Sequence, residues 1–193
     1  MLLPESGEPI RTVAALERMV RLYKSMLDTD PLTGLMNRRH FLEALRRRLS
    51  EARREGGRGA LLAIDLDNFK EVNDTFGYRA GDAILVDTAA LLRSQVGGEG
   101  LVARLGDDEF GVFIPGAGRE AAMELACRIV AAAGARAVAW DGMRIGATVS
   151  AGVALFPEHG ADEEDLLARA GAALDAAIEG GRNDAAIYSP EEH

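Results

Sequence analysis

"ARLGDDEFGVFIPG", residues 103–116, sets an apolar run on each side of three consecutive acids. The flanks alternate as strands do, and Gly106-Asp107 between them is a hairpin signal, because both residue types tolerate a positive φ. A turn requires no more than that. Asp108 and Glu109 are surplus to it, which leaves two readings open: a simple turn, or a working site whose carboxylates have partners elsewhere in the chain.

Upstream, "GALLAIDLDNFK" (59–70) reads as a buried strand from Ala60 to Ile64, with Asp65 and Asp67 on the rim at its exit and a helix beginning around Asn68. If that strand neighbours the hairpin at the centre of a sheet, Asp65 faces Asp108-Glu109. Such a set suits two magnesium ions, since hard cations favour carboxylate and carbonyl oxygens and a pair of them stabilises both the attacking and leaving oxygens of phosphoryl transfer. Spacing alone leaves a metal-dependent phosphate site and a merely acidic rim both open. The chain has no Walker-type, dinucleotide-binding, H-E-x-x-H or G-x-S-x-G motif, and its histidines, His40, His159 and His193, are too scattered to signal zinc.

Around this centre the elements interleave. Helices are expected over "HFLEALRRRLSEARREG" (40–56), from about Gly81 to Gln95, over 120–134 and over 162–181. Strands are expected at "LVARL" (101–105), "FGVFIP" (110–115), near Ala137–Trp140 and over Met143–Phe156. The order is α/β or α+β without the regular spacing of a doubly wound fold. The arginines of the 40–56 helix read as a solvated face. Ahead of them, Ile10, Val13, Leu16, Val20, Tyr23 and Leu27 form the stripe of an amphipathic helix ended by Asp30-Pro31. That stripe either packs on its own domain or forms a parallel two-helix stalk.

The 193 residues suit one domain with a short appendage: a stalk or linker helix at 1–29, a domain over 30–189 and a tail at 190–193. A balance of 31 acidic to 22 basic side chains, net −9, argues against a nucleic-acid backbone or an anionic membrane as partner. Cys127, within "ELACRIVAAA", reads as a buried structural thiol. No long apolar run or basic leader is evident, so a cytoplasmic protein is expected.

Five blocks carry a specific resemblance: "DPLTGLMNRRHF" (30–41), "DLDNFKEVNDTFGYRAGD" (65–82), "ARLGDDEF" (103–110), "VSAGVALFPEHG" (149–160) and "GGRN" (180–183). In order and interval they resemble the signature blocks of the GGDEF family of diguanylate cyclases, over roughly residues 28–188. The resemblance implies a central, mainly antiparallel sheet wrapped by helices, akin to nucleotidyl cyclases and polymerase palms. It implies condensation of two GTP into cyclic di-GMP by a homodimer in which each protomer presents one GTP to the other. It also implies two Mg²⁺ or Mn²⁺ ions per half-site, held by Asp65, the Leu66 carbonyl, Asp108 and Glu109, with Asp108 assisting deprotonation of the attacking hydroxyl and Glu109 supporting the site. Asn73 and Asp82 would read guanine, and Lys70 and Arg182 would contact the phosphates. A carboxylate at Asp82 accepts from the guanine ring N–H and amine, which adenine cannot reproduce.

Several positions depart from the family pattern. Asp107 stands where the motif has its second glycine, Ile178 replaces a lysine four residues before Arg182, Tyr78 replaces a common histidine, and "RAGAALDAA" differs from the usual Ala-Asp-x-Ala-Leu-Tyr run. Many relatives carry an Arg-x-x-Asp product-inhibition site; its two positions are Gly97 and Gly100 here, so none is expected. An anion gained at Asp107 and a cation lost at Ile178 both oppose triphosphate binding. A degenerate domain that binds GTP or a partner as a regulatory or dimerisation module is the alternative to a cyclase of reduced efficiency.

Overall fold

The computed structural model describes residues 28–190 and, before them, positions 13, 15, 16, 18 and 19. Of the apolar stripe, Val13 and Leu16 are exposed, as is nearby Met19; Ile10, Val20, Tyr23 and Leu27 lie outside the described residues.

Six strands form the central sheet: β1 (Met36–Asn37), β2 (Gly59–Leu66), β3 (Leu101–Arg104), β4 (Glu109–Pro115), β7 (Val149–Phe156) and β8 (Ala185–Ile187), in the order β1-β3-β4-β2-β7-β8. The middle four are antiparallel, whereas each edge strand runs parallel to its neighbour. A separate hairpin pairs β5 (Val138–Trp140) with β6 (Met143–Ile145). The single strand expected over Met143–Phe156 is therefore two, broken where Gly146 passes close to the segment ahead of β5: a Cβ there would sit 2.7 Å from the Arg136 carbonyl oxygen. The edge strands β1 and β8 are too short, at two and three residues, to carry a periodic signal.

Strand alternation explains the layering. Leu62, Ile64 and Leu66 of β2 face a core shared with α3 (Tyr78–Val96) and α4 (Arg119–Gly134), through Ile84, Leu92 and Ile129. Leu61 points to the other face and packs with Phe41, Leu45 and Leu49 of α1 (Arg38–Glu55) and with Leu166 and Ala170 of α5 (Glu163–Glu179). The helix α5 lies directly on β7 because Gly152 has no side chain; a Cβ there would meet the Ala170 carbonyl oxygen and the Leu174 amide nitrogen at 2.1 Å each. All eight residues of β7 are buried, as suits a central strand covered on both faces.

Helix ends follow capping chemistry. Asn37 Oδ1 accepts from the His40 amide at 2.9 Å to start α1, and Gly56 ends it in the left-handed region at φ 63°. Asp162 caps α5 through the Asp165 amide at 2.9 Å. The α1 arginines are not only a solvated face: Arg46 bonds Glu163 and Arg53 bonds the Ala161 carbonyl, tying α1 to the start of α5. Cys127 corrects the expectation of burial, since it lies on the exposed side of α4, whereas Ala126 and Ile129 are buried.

Candidate functional site

One end of the sheet gathers the exit of β2, the β3–β4 turn and the entry to β7. In the β2–β4 register Asp65 pairs directly with Glu109, and the Leu66 amide donates to the Asp108 carbonyl at 3.3 Å. The expectation that the two acidic groups face each other across neighbouring strands holds. Burial, and then the charges of Asp108, Glu109 and Asp67, push the Asp65 carboxyl up to about 7. Acids crowded in this way are poised for a cation. Among the described residues, no three His, Cys, Asp or Glu side chains form a ready-made metal cage. Two carboxylates with carbonyl oxygens nevertheless fit magnesium, which commonly completes its shell with water and substrate phosphate.

The turn is built differently from the sequence expectation. Neither Gly106 nor Asp107 is in the left-handed region. The Glu109 carbonyl instead accepts from the amides of Leu105 and Gly106, at 2.8 and 3.3 Å. Gly106 is favoured by close approach, since a Cβ would lie 2.8 Å from Glu109 Oε2. Asp107 therefore loses no backbone conformation by not being glycine; its exposed side chain changes charge alone.

Arg104 holds this turn, a role that its position did not suggest. Its guanidinium donates to the carbonyls of Gly106 and Asp107 at 3.1 and 2.6 Å and pairs with Asp30 at 3.4 Å. Burial opposes ionisation of Asp30, but hydrogen bonds from the Thr33 hydroxyl and amide, and then Arg104, hold its carboxyl below the usual range. The 30–34 loop is thus a clamp that reaches the acidic turn. The legible signal was a charged residue standing alone in the strand "LVARL".

Asn73 and Asp82 form a second group at the corner of α2 (Phe69–Phe76) and α3. Gly77, at φ 83°, separates the helices, and Gly81 lets the Asn73 side chain lie against α3, where a Cβ would be 2.0 Å from Asn73 Oδ1. That oxygen is buried with no hydrogen-bond partner, the condition of an acceptor awaiting a donor. Asp82 and Lys70 are exposed, on α3 and in the first turn of α2. Arg182 lies beyond α5 on an exposed turn whose next residue, Asn183, bonds Asp67. Asp67 corrects the sequence reading: it is not on the rim but 5% exposed beneath the site.

At the expected product-inhibition positions, Gly97 has φ 74° and a Cβ on Gly100 would lie 2.3 Å from Val96 Cγ1. Restoring the family residues with Gly97→Arg and Gly100→Asp is therefore expected to strain the chain rather than create a site. Overpacking of this kind costs ~1–3 kcal/mol, or about 3–10 °C in Tm by thermal denaturation. Tight cyclic di-GMP binding gained by that double variant without loss of Tm would contradict the packing argument.

The profile of the family described as "Diguanylate cyclase, GGDEF domain" matches residues 27–184. The chain is 36% identical over 185 residues to the probable diguanylate cyclase DgcE of Escherichia coli strain K12, covering 95% of this chain and 17% of that protein. It is 42% identical over 131 residues to the diguanylate cyclase TpbB of Pseudomonas aeruginosa, covering 67% and 30%. The crystal structure of the coiled coil and GGDEF domain of DgcB from Caulobacter crescentus, in complex with c-di-GMP, superposes with a TM-score of 0.86 at 27% identity, covering 93% of this chain and 95% of that one. The chain spans less than a third of the length of the curated relatives it matches, some of which are cyclic di-GMP phosphodiesterases. Among the described residues no helix is long and apolar enough to cross a membrane.

Proposed function

We propose that this chain, which belongs to the GGDEF family of diguanylate cyclases, condenses two GTP into cyclic di-GMP with release of pyrophosphate, at reduced efficiency. The observation that carries the reading is the pairing of Asp65 with Glu109 beside the Leu66–Asp108 backbone bond, which concentrates carboxylates at one sheet end and raises the Asp65 carboxyl to about 7. Asp65, the Leu66 carbonyl, Asp108 and Glu109 would hold two Mg²⁺ or Mn²⁺ ions, which supply charge neutralisation at the phosphates. Asp108 takes the proton of the 3′-hydroxyl as its oxygen attacks the α-phosphorus of the second GTP and the bond to pyrophosphate breaks. Asn73 and Asp82 orient guanine, and Lys70 and Arg182 offset phosphate charge.

Each half-site presents one GTP, so the reaction requires a homodimer, for which the N-terminal segment 1–29, read from its apolar spacing as a stalk and with Val13 and Leu16 exposed, is the available element. Incubation with GTP and magnesium is expected to yield cyclic di-GMP on chromatography. The specific rate should rise with protein concentration and fall at least about tenfold when residues 1–27 are removed, as expected when effective local concentration is lost. A fully active, strictly monomeric truncation would overturn the dimeric arrangement. Asp107 and Ile178, which oppose triphosphate binding, favour the second reading, a degenerate domain that binds GTP or a partner as a regulatory or dimerisation module, in which case no product appears.

A further inference from the structure

The turn that carries Arg182 is conformationally costly. Arg182 and Asn183 sit consecutively in the left-handed region, at φ 65° and 49°, a conformation that disfavours a residue with a Cβ, arginine more than asparagine. The Arg182 guanidinium makes no ion pair or hydrogen bond among the described residues and is exposed, so its own side chain does not hold the turn in place. The backbone is fixed at three points. The Arg182 amide donates to the Ala177 carbonyl at 3.1 Å, the Ala151 amide donates to the Asp184 carbonyl at 2.9 Å, and the Asn183 amide donates to Asp67 Oδ2 at 3.0 Å.

Only the last of these involves a side chain from the acidic strand. Asp67 is buried, and its carboxylate is filled by three donors. Ser150 Oγ reaches Oδ1 at 2.7 Å, and Thr148 Oγ1 reaches Oδ2 at 2.6 Å beside the Asn183 amide. Its own amide donates to the Thr148 carbonyl at 3.0 Å. One carboxylate thereby joins the exit of β2, the entry of β7 and the Arg182 turn. Hydrogen bonds to an ionised acceptor are about twice as strong as neutral ones, which suits them to holding an unfavourable backbone. Asp67 also stands two residues from Asp65, so the side chain that fixes the turn is rigidly connected to the acids.

We propose that Asp67 is a positioning residue that latches the Arg182–Asn183 turn to the acidic end of β2, setting the distance between the phosphate cation and the carboxylates. The inference rests on the reading of Arg182 as a phosphate contact. A merely structural aspartate would lower stability alone, whereas a latch makes the contribution of Arg182 depend on Asp67.

The test is a double-mutant cycle on the full chain, with GTP and guanosine titrated calorimetrically at saturating magnesium. Asp67→Asn and Arg182→Ala are each expected to weaken GTP about tenfold and guanosine less than about twofold, with the double variant close to the worse single rather than at their ~100-fold product. Removing the charge of Asp67 by itself favours a polyanionic triphosphate, so the expected weakening has the opposite sign to a through-space effect. Hydrogen exchange at residues 181–184 is expected to rise about tenfold in Asp67→Asn, with α4 unchanged. An additive double variant, or equal losses for GTP and guanosine, would overturn the latch. If the parent binds no GTP, the assigned function falls, and exchange at 181–184 still decides the latch: an unchanged rate overturns it. Should Asp67→Asn fail to fold, Ser150→Ala, which deletes one donor, is read by the same two measurements at smaller amplitude.

Discussion

Replacing Asp65 by Asn is expected to lower cyclic di-GMP formation by about 10³-fold or more, and Asp108→Asn by a similar factor, because either change removes one of two principal carboxylates from a cation shared with substrate; ~4 kcal/mol of lost transition-state stabilisation is ample for that. The same Asp65→Asn change is expected to make the metal-free protein more stable. Burial and the neighbouring acids lift the folded-state carboxyl to about 7 from an ordinary 3.8. The folded protein therefore binds that proton more tightly, and the stability it provides is complete below about pH 4 and is lost as pH rises through 7. At pH 8 the parent holds an uncompensated charge that Asn does not. After allowance for solvent screening the difference is about 2 kcal/mol, or roughly 5 °C in Tm. Thermal denaturation in a chelator should show the parent losing stability from pH 5 to 8 relative to Asp65→Asn, and magnesium restoring the parent selectively at pH 8. An inactive variant with no gain in stability at pH 8 would show that Asp65 is not under like-charge pressure.

The opposed signs reflect how the site is made, and they explain which parts were legible in the sequence. Asp65 and the Asp108-Glu109 pair stood out because they interrupt apolar strands, and an acid at the end of a buried strand has few structural uses. Their juxtaposition required the β2–β4 pairing, which the two runs suggested by their length and apolarity. Arg104 and Asp67 were harder to read, since each acts through backbone groups: one through the carbonyls of Gly106 and Asp107, the other through the amide of Asn183. Backbone partners leave no mark in residue type. The short strands β1 and β8 are likewise defined by where their neighbours lie. The turn at Gly106 was read for the wrong reason, because glycine serves close approach as well as positive φ, and sequence alone does not separate the two. The exposure of Cys127 departs from the burial that its alanine-rich run suggests, because that helix has one face on the core and another in solvent.

Restoring both family residues, Asp107→Gly with Ile178→Lys, is expected to raise kcat/KM for GTP roughly 30-fold, with the larger share from Ile178→Lys. Asp107 is exposed, so its charge acts on a triphosphate largely through solvent, and its removal is worth about threefold. Because its backbone is not left-handed, glycine brings no relief of strain; it should instead lower Tm by a degree or two through the greater freedom of the unfolded chain. Ile178 lies half-buried in the last turn of α5, four residues before Arg182. A lysine stem can cover the same apolar surface while its ammonium reaches solvent, and a cation at a helix C-terminus is favourable in its own right. That substitution adds a full charge beside the phosphate turn, worth about tenfold. Both effects are electrostatic at a partly solvated site, so the combined gain should shrink severalfold between about 0.05 and 0.5 M salt, where the Debye length falls from about 14 to 4 Å. Steady-state pyrophosphate release at fixed protein concentration measures it. A gain insensitive to salt would point to repacking of α5 instead of charge, and no gain in either GTP affinity or turnover would mean that Asp107 and Ile178 do not limit triphosphate binding.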